Sequence, residues 1–117
     1  MKTNILKEKS YKFALRTVRL GLMLQREKKV FILSRQIMRS GTSIGANIEE
    51  SYQGESRADF IHKLSIANKE AFETNYWLRL LKDVELAETE VVESLLMGCD
   101  GLQRMLVASI KTAKSRA

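Results

Sequence analysis

Proline is absent from the 117-residue chain. A proline inside a helix costs ~3 kcal/mol, and proline also helps to build turns. Without it, a chain rich in Leu, Lys, Glu, Arg and Ala points to long, uninterrupted helices. Cysteine is nearly absent too: Cys99 stands alone and cannot form an internal disulfide, which excludes a disulfide framework. Long apolar runs are missing. The longest, such as residues 30–33, fall far short of the ~18 residues that span a bilayer. No apolar stretch of signal-peptide length follows residues 1–4. These absences lead to the expectation of a cytoplasmic protein with no membrane association.

What is present fits one folded domain over residues 1–117. Apolar residues make up 44% and charged residues 29%, a balance that excludes a disordered or collagen-like chain. Four segments carry helical periodicity. In the first, residues 4–27, Phe13, Thr17, Leu20 and Leu24 recur at steps of three and four. In the second, residues 30–52, Val30, Leu33, Ile37, Ser40, Ile44 and Asn47 repeat that step. The third starts after Gly54 and Glu55 with Ser56 as its N-cap, and its face runs from Phe60 through Leu64, Ala67, Ala71, Thr74 and Leu78 to Leu81. The fourth opens at Glu88 or Thr89, with Val92, Leu95, Cys99, Leu102, Leu106 and Ala113 on its face.

The links, residues 26–29, 53–55 and 83–87, are short and polar, so neighbouring helices run antiparallel. The expected fold is all-α, an up-down-up-down four-helix bundle. Further apolar residues fall outside one stripe per helix: Leu15, Val18 and Leu22, then Trp77 and Leu80, then Leu96 and Met105. Either they widen the core at its edges, or they mark surfaces for self-association.

Charge is strongly segregated. Residues 1–39 hold eleven Lys and Arg against two acids, residues 40–100 hold five against twelve, and residues 101–117 hold four against none. Lys9, Lys12, Arg16, Arg19 and Arg26 share one face of the first helix. Like charges at these spacings cost a helix a few tenths of a kcal/mol per pair. A stripe of one sign therefore suggests an anionic partner, and a phosphate backbone needs only such cations. Arg104, Lys111 and Lys114 are candidates to extend the patch from the fourth helix. Two other readings remain open. The stripe is simply solvated, or it faces the acidic third helix, where Asp59, Glu70 and Glu73 lie, within a subunit or across an interface. An anionic membrane is disfavoured, because the stripe lacks the apolar flank of an interfacial helix.

No catalytic constellation is found, and no metal or cofactor is expected. His62 is the only histidine and has no companion ligands. Cys99 reads as a small core residue. Glu49 and Glu50 point in different directions around a helix, while Glu70 and Glu73 form a solvated charged face. The segment from Gly41 to Asn47 lacks the lysine and the preceding strand of a phosphate loop. Its small residues instead allow another helix to approach closely, with Asn47 at the core boundary.

The run Arg39-Ser40-Gly41-Thr42-Ser43-Ile44-Gly45-Ala46-Asn47-Ile48-Glu49-Glu50 resembles the signature of the bacterial four-helix bundle proteins, also called 23S rRNA intervening-sequence proteins. Residues 59–67, 69–71 and 76–81 look like the same family, and the likeness extends over residues 11–111. Gly45 stands where many members have Pro, and Ser51 where many have Gly, which places the chain in a subgroup. The resemblance implies an antiparallel bundle that assembles as a homopentamer, often encoded within intervening sequences of the large ribosomal RNA gene. A similar bundle is the accessory variability determinant of diversity-generating retroelements, a basic pentamer that binds nucleic acid. No catalytic residues carry over. Arg39, Ser40, Ser43, Asn47 and Glu50 of the motif are expected to be conformational. The functional expectation is a non-enzymatic oligomer that binds structured RNA or DNA through its first helix. The alternative is a scaffold for protein partners with no nucleic-acid role.

Overall fold

The computed structural model describes residues 4–116. It contains α1 (Ile5–Lys28), α2 (Ile32–Ser51), α3 (Arg57–Asp83) and α4 (Thr89–Ser115), and no strand among the described residues. Local chemistry sets several ends. Asn4 Oδ1 accepts the Lys7 N–H at 3.0 Å, and Ser56 Oγ accepts the Asp59 N–H at 3.1 Å, so both caps satisfy first-turn donors. Lys29 closes α1 in the left-handed region at φ 57°, and the Val30 N–H reaches back to the Leu24 carbonyl at 3.0 Å. That turn holds Val30 and Phe31 outside the helix, so α2 begins at Ile32, two residues later than the periodicity suggests.

The helices pack in a ring, α1 on α2, α2 on α3, α3 on α4 and α4 on α1, and the diagonal pairs do not meet. The result is an antiparallel up-down-up-down bundle, a rod of 49 × 27 × 20 Å. The core takes the expected residues, including Phe13, Leu24, Ile37, Ile44, Leu64, Leu78, Leu95 and Leu106. No described helix is long and apolar enough to cross a membrane.

Small residues set the α1–α2 distance. A Cβ on Gly41 would lie 2.6 Å from Thr17 Cγ2, and one on Gly45 would lie 3.3 Å from the Ser10 carbonyl oxygen. The hydroxyls buried here donate to nearby carbonyls rather than across the seam. Ser10 donates to the Lys7 carbonyl at 3.0 Å, Thr17 to Ala14 at 2.8 Å and Ser34 to Phe31 at 3.0 Å. Each donates locally, and Ser34 Oγ also accepts from Gln25 Nε2 of α1 at 3.1 Å, so burial leaves no orphan and adds little width.

Of the extra apolar residues, Trp77, Leu96 and Met105 pack half-buried against the core and so widen it. Leu15 remains open at 38%, but the most exposed apolar side chains are others: Met97, Ile32 and Phe72 at 76%, 74% and 63%.

Two glycine substitutions test this account of the seam. Gly41→Ala should destabilise the protein by roughly 1–3 kcal/mol, because Thr17 has nowhere to move. Gly101→Ala, where nothing lies within 4 Å, should stabilise it by about 0.5–1 kcal/mol through helix propensity. Urea unfolding of the two variants checks both signs.

Candidate nucleic-acid interface

The face of α1 that carries Ser10, Thr17 and Gly21 packs on α2. Lys9, Lys12, Arg16, Arg19 and Arg26 therefore fall on the other flank, from the α4 seam outward to solvent. Lys9, Lys12, Arg19 and Arg26 are exposed and Arg16 is half-buried. Among the described residues, none of the five lies within ion-pair distance of a carboxylate, whereas Arg39, Lys63, Lys82 and Arg104 each do. Arg16 is held from across the seam, its Nη2 donating to Ser94 Oγ at 2.7 Å. Gly98 faces the same side chains: a Cβ there would sit 3.4 Å from Phe13 Cδ1 and 3.7 Å from Arg16 Nη1, in ordinary contact.

The α1–α4 seam is the most open of the four. A cavity of about 250 Å³ lies in it, with Lys9, Lys12 and Arg16 on one side and Met97, Gly98 and Gly101 on the other. A second, of about 710 Å³, opens further along, where the link from α3 to α4 approaches the C-terminal half of α1. Arg16 and Arg19 border it.

The cations of α4 do not extend this patch. Helix geometry turns Arg104, Lys111 and Lys114 by about 120–160° from Gly98, which faces α1. Arg104 pairs with Asp100 at 3.1 Å, and both Arg104 and Lys111 border a groove against Phe72 of α3. Lys114 is exposed. The acids of α3 do not meet the stripe within the chain either, because α1 and α3 are diagonal. Glu70 and Glu73 instead flank Arg39 of α2; the Glu70 contact is 3.3 Å, and Glu73 also accepts from Trp77 Nε1 at 2.9 Å.

The remaining motif residues line α2 beside α3 and turn inward on their own helix. Ser40 Oγ donates to the Gln36 carbonyl at 2.7 Å and lies 2.9 Å from Thr74 Oγ1. Ser43 donates to the Arg39 carbonyl at 2.7 Å, and Asn47 to the Ser43 carbonyl at 2.8 Å. Glu50 faces Lys63 at 3.7 Å. Asn47 is half-buried, at the core boundary.

His62 is exposed, and no cluster of three metal-ligating side chains exists among the described residues. Cys99 is buried and donates to the Ala71 carbonyl at 3.1 Å. Burial pushes its thiol up to about 12, with Asp100 adding to the rise and the Asn75 backbone N–H opposing it. Sequence periodicity alone does not reveal Ser94 as the partner of Arg16, or Arg39 as the link to two acids. The pair Gly98 and Gly101, one turn apart on α4, is the signal in the sequence that this seam stands open.

A family model described as 23S rRNA-intervening sequence protein matches residues 2–108. No curated protein is significantly similar to the chain. Among solved structures, a protein of unknown function from the S23 ribosomal protein family of Bacteroides thetaiotaomicron is 50% identical, with a TM-score of 0.90. That match covers 92% of this chain and 99% of the other.

Two measurements test the roles assigned to Arg39 and Cys99. Arg39→Ala should lower stability by at most about 1 kcal/mol, and by less at high salt, since its pairs are partly exposed. Urea unfolding followed by Trp77 fluorescence reads it. The Cys99 thiol ionises near 9 in the unfolded chain and near 12 when folded. Its contribution to stability is therefore complete below pH 9 and is lost as pH rises toward 12. Relative to Cys99→Ala, the protein should lose about 1–2 kcal/mol between pH 9 and about pH 10.5.

Proposed function

The chain belongs to the 23S rRNA-intervening sequence protein family, and from that premise we propose that it is a non-enzymatic, self-associating cytoplasmic bundle that binds structured RNA or DNA through the basic face of α1. One observation carries this reading: five cations share that face, and none is neutralised by a carboxylate of the described chain. Their mutual repulsion is offset by no close ion pair within the described chain, so an external polyanion would stabilise them. The S23 ribosomal name of the Bacteroides relative points the same way.

Lys9 to Arg26 spans about 25 Å along the helix axis. A duplex of that length presents roughly fifteen phosphates, more than enough for five cations. Contacts of this kind are electrostatic and read little sequence. Exposed Ile32 and Phe72 support self-association, the pentamer of the family resemblance being the assembly proposed. Repeating the stripe around a ring would add its weak contacts on one polyanion as avidity. Arg104, Lys111 and Lys114 would act only as a separate, weaker patch.

Fluorescence anisotropy of a labelled structured RNA, over a salt series from about 50 to 300 mM, tests the proposal. Each duplex phosphate contact adds about 0.9 to the negative slope of log affinity against log salt. Arg16→Glu with Arg19→Glu should weaken binding and reduce the slope by roughly 2 per subunit. Unchanged affinity overturns the site. Absence of binding at low salt overturns the nucleic-acid role and leaves the protein-partner scaffold.

A further inference from the structure

The cavity of about 710 Å³ at the corner of α1 and the α3–α4 link has a composition that the basic stripe does not explain. Its apolar wall is built from Leu20, Met23, Leu86, Val91 and Leu95. Its size falls in the range of pockets that enclose small organic groups. Arg16 and Arg19 stand at one border and belong to the stripe as well, so the phosphate-binding face leads directly into it. The opposite border carries exposed Glu27, Glu85 and Glu88, with exposed Lys28 beside them. Left-handed Glu85, at φ 57°, makes the turn on which that border is built.

Three carboxylates against three cations leave this lining without the net positive charge that would hold a phosphate inside it. The pocket does not suit a purely apolar group either, since charge surrounds the mouth. A nucleobase matches both features. Its flat faces are apolar enough to lie against leucine and a methionine thioether, and sulfur–aromatic contacts are favourable. Its edge carries amino and imino N–H donors that carboxylates accept. Its own phosphates stay outside, beside Arg16 and Arg19. Bases stacked within a helix cannot enter, whereas RNA loops and bulges present bases that can be splayed out.

We infer that this cavity receives one unpaired nucleobase of an RNA whose flanking phosphates lie on Arg16 and Arg19, an inference that rests on the RNA-binding reading of the stripe. The stripe then supplies affinity for any duplex, and the cavity supplies preference for RNA with an unpaired position.

Two hairpins of one length test it, one fully paired and one with a single-nucleotide bulge carrying 2-aminopurine. The wild-type protein should bind the bulged hairpin about fivefold or more tightly than the paired one, with a change in 2-aminopurine fluorescence. Val91→Trp, which fills the cavity from its exposed border, should abolish that preference while the paired hairpin keeps its affinity and salt slope. Ala87→Leu, a smaller filling from the link, should reduce the preference in the same direction and covers the case in which the tryptophan disturbs folding. Equal affinity of the wild type for both hairpins overturns the inference and leaves the stripe intact. So does a preference that both filled variants retain. If neither hairpin binds at low salt, the stripe reading fails first and the cavity assignment with it.

Discussion

The close approach of α1 to α2 is the constraint on which the rest of the molecule depends. Thr17 sits where a Cβ of residue 41 would otherwise be, and the Ser10 carbonyl lies just beyond Gly45. With that flank of α1 committed to α2, its other flank must face α4 and solvent. The basic residues are on that flank. The α1–α2 seam thus places the cations even though none of them takes part in it. A larger residue at position 41 would push the helices apart and rotate the stripe relative to the α4 seam. Hydroxyls bonded to their own helix make the approach possible, because a buried donor reaching for a partner across the seam would require both space and geometry.

Much of this was legible from spacing. Steps of three and four place Phe13, Leu24, Ile44, Leu78 and Leu106 correctly, because burial of one face is a local consequence of helical pitch. Ser56 is legible as an N-cap because its function involves only the next few residues. The neighbours of each helix are a different matter. Periodicity gives a face, and the face does not say which of three other helices lies to its left. That is why Asp59, Glu70 and Glu73 could be considered as partners of the stripe, although α3 lies diagonal to α1 and two of these acids serve Arg39. For the same reason Arg104 and Lys111 could be read as one patch with α1: both lie at the expected level along the rod, but on the wrong side of α4.

The two charged regions show opposite solutions to one problem. On α2 and α3, Arg39 lies between Glu70 and Glu73, and Glu73 is held in turn by Trp77. That cluster is satisfied within the chain. On α1, among the described residues, the five cations have only Ser94 as a neutral hydrogen-bond partner, and only for Arg16. Water solvates such charges well, so the chain folds regardless. The folded protein nonetheless carries a concentrated positive field along one edge, and a field of that kind raises the local concentration of polyanions.

The glycines of α4 lead to the same edge. A helix-interior glycine costs about 1 kcal/mol relative to alanine. At Gly98 a Cβ would make only ordinary contact with Phe13 and Arg16, so close packing within the chain does not offset that cost. For Gly101 no atom of the chain lies in the vacant position. Its backbone is left bare at the border of the seam cavity, opposite Lys9 and Lys12. Folding of the isolated subunit gains nothing from that glycine. In the proposed complex, the absent side chain would let a strand of phosphates come closer to both lysines. Gly98 and Gly101 of α4 and Lys9, Lys12 and Arg16 of α1 border the same cavity, which makes the open seam part of the interface proposed for nucleic acid.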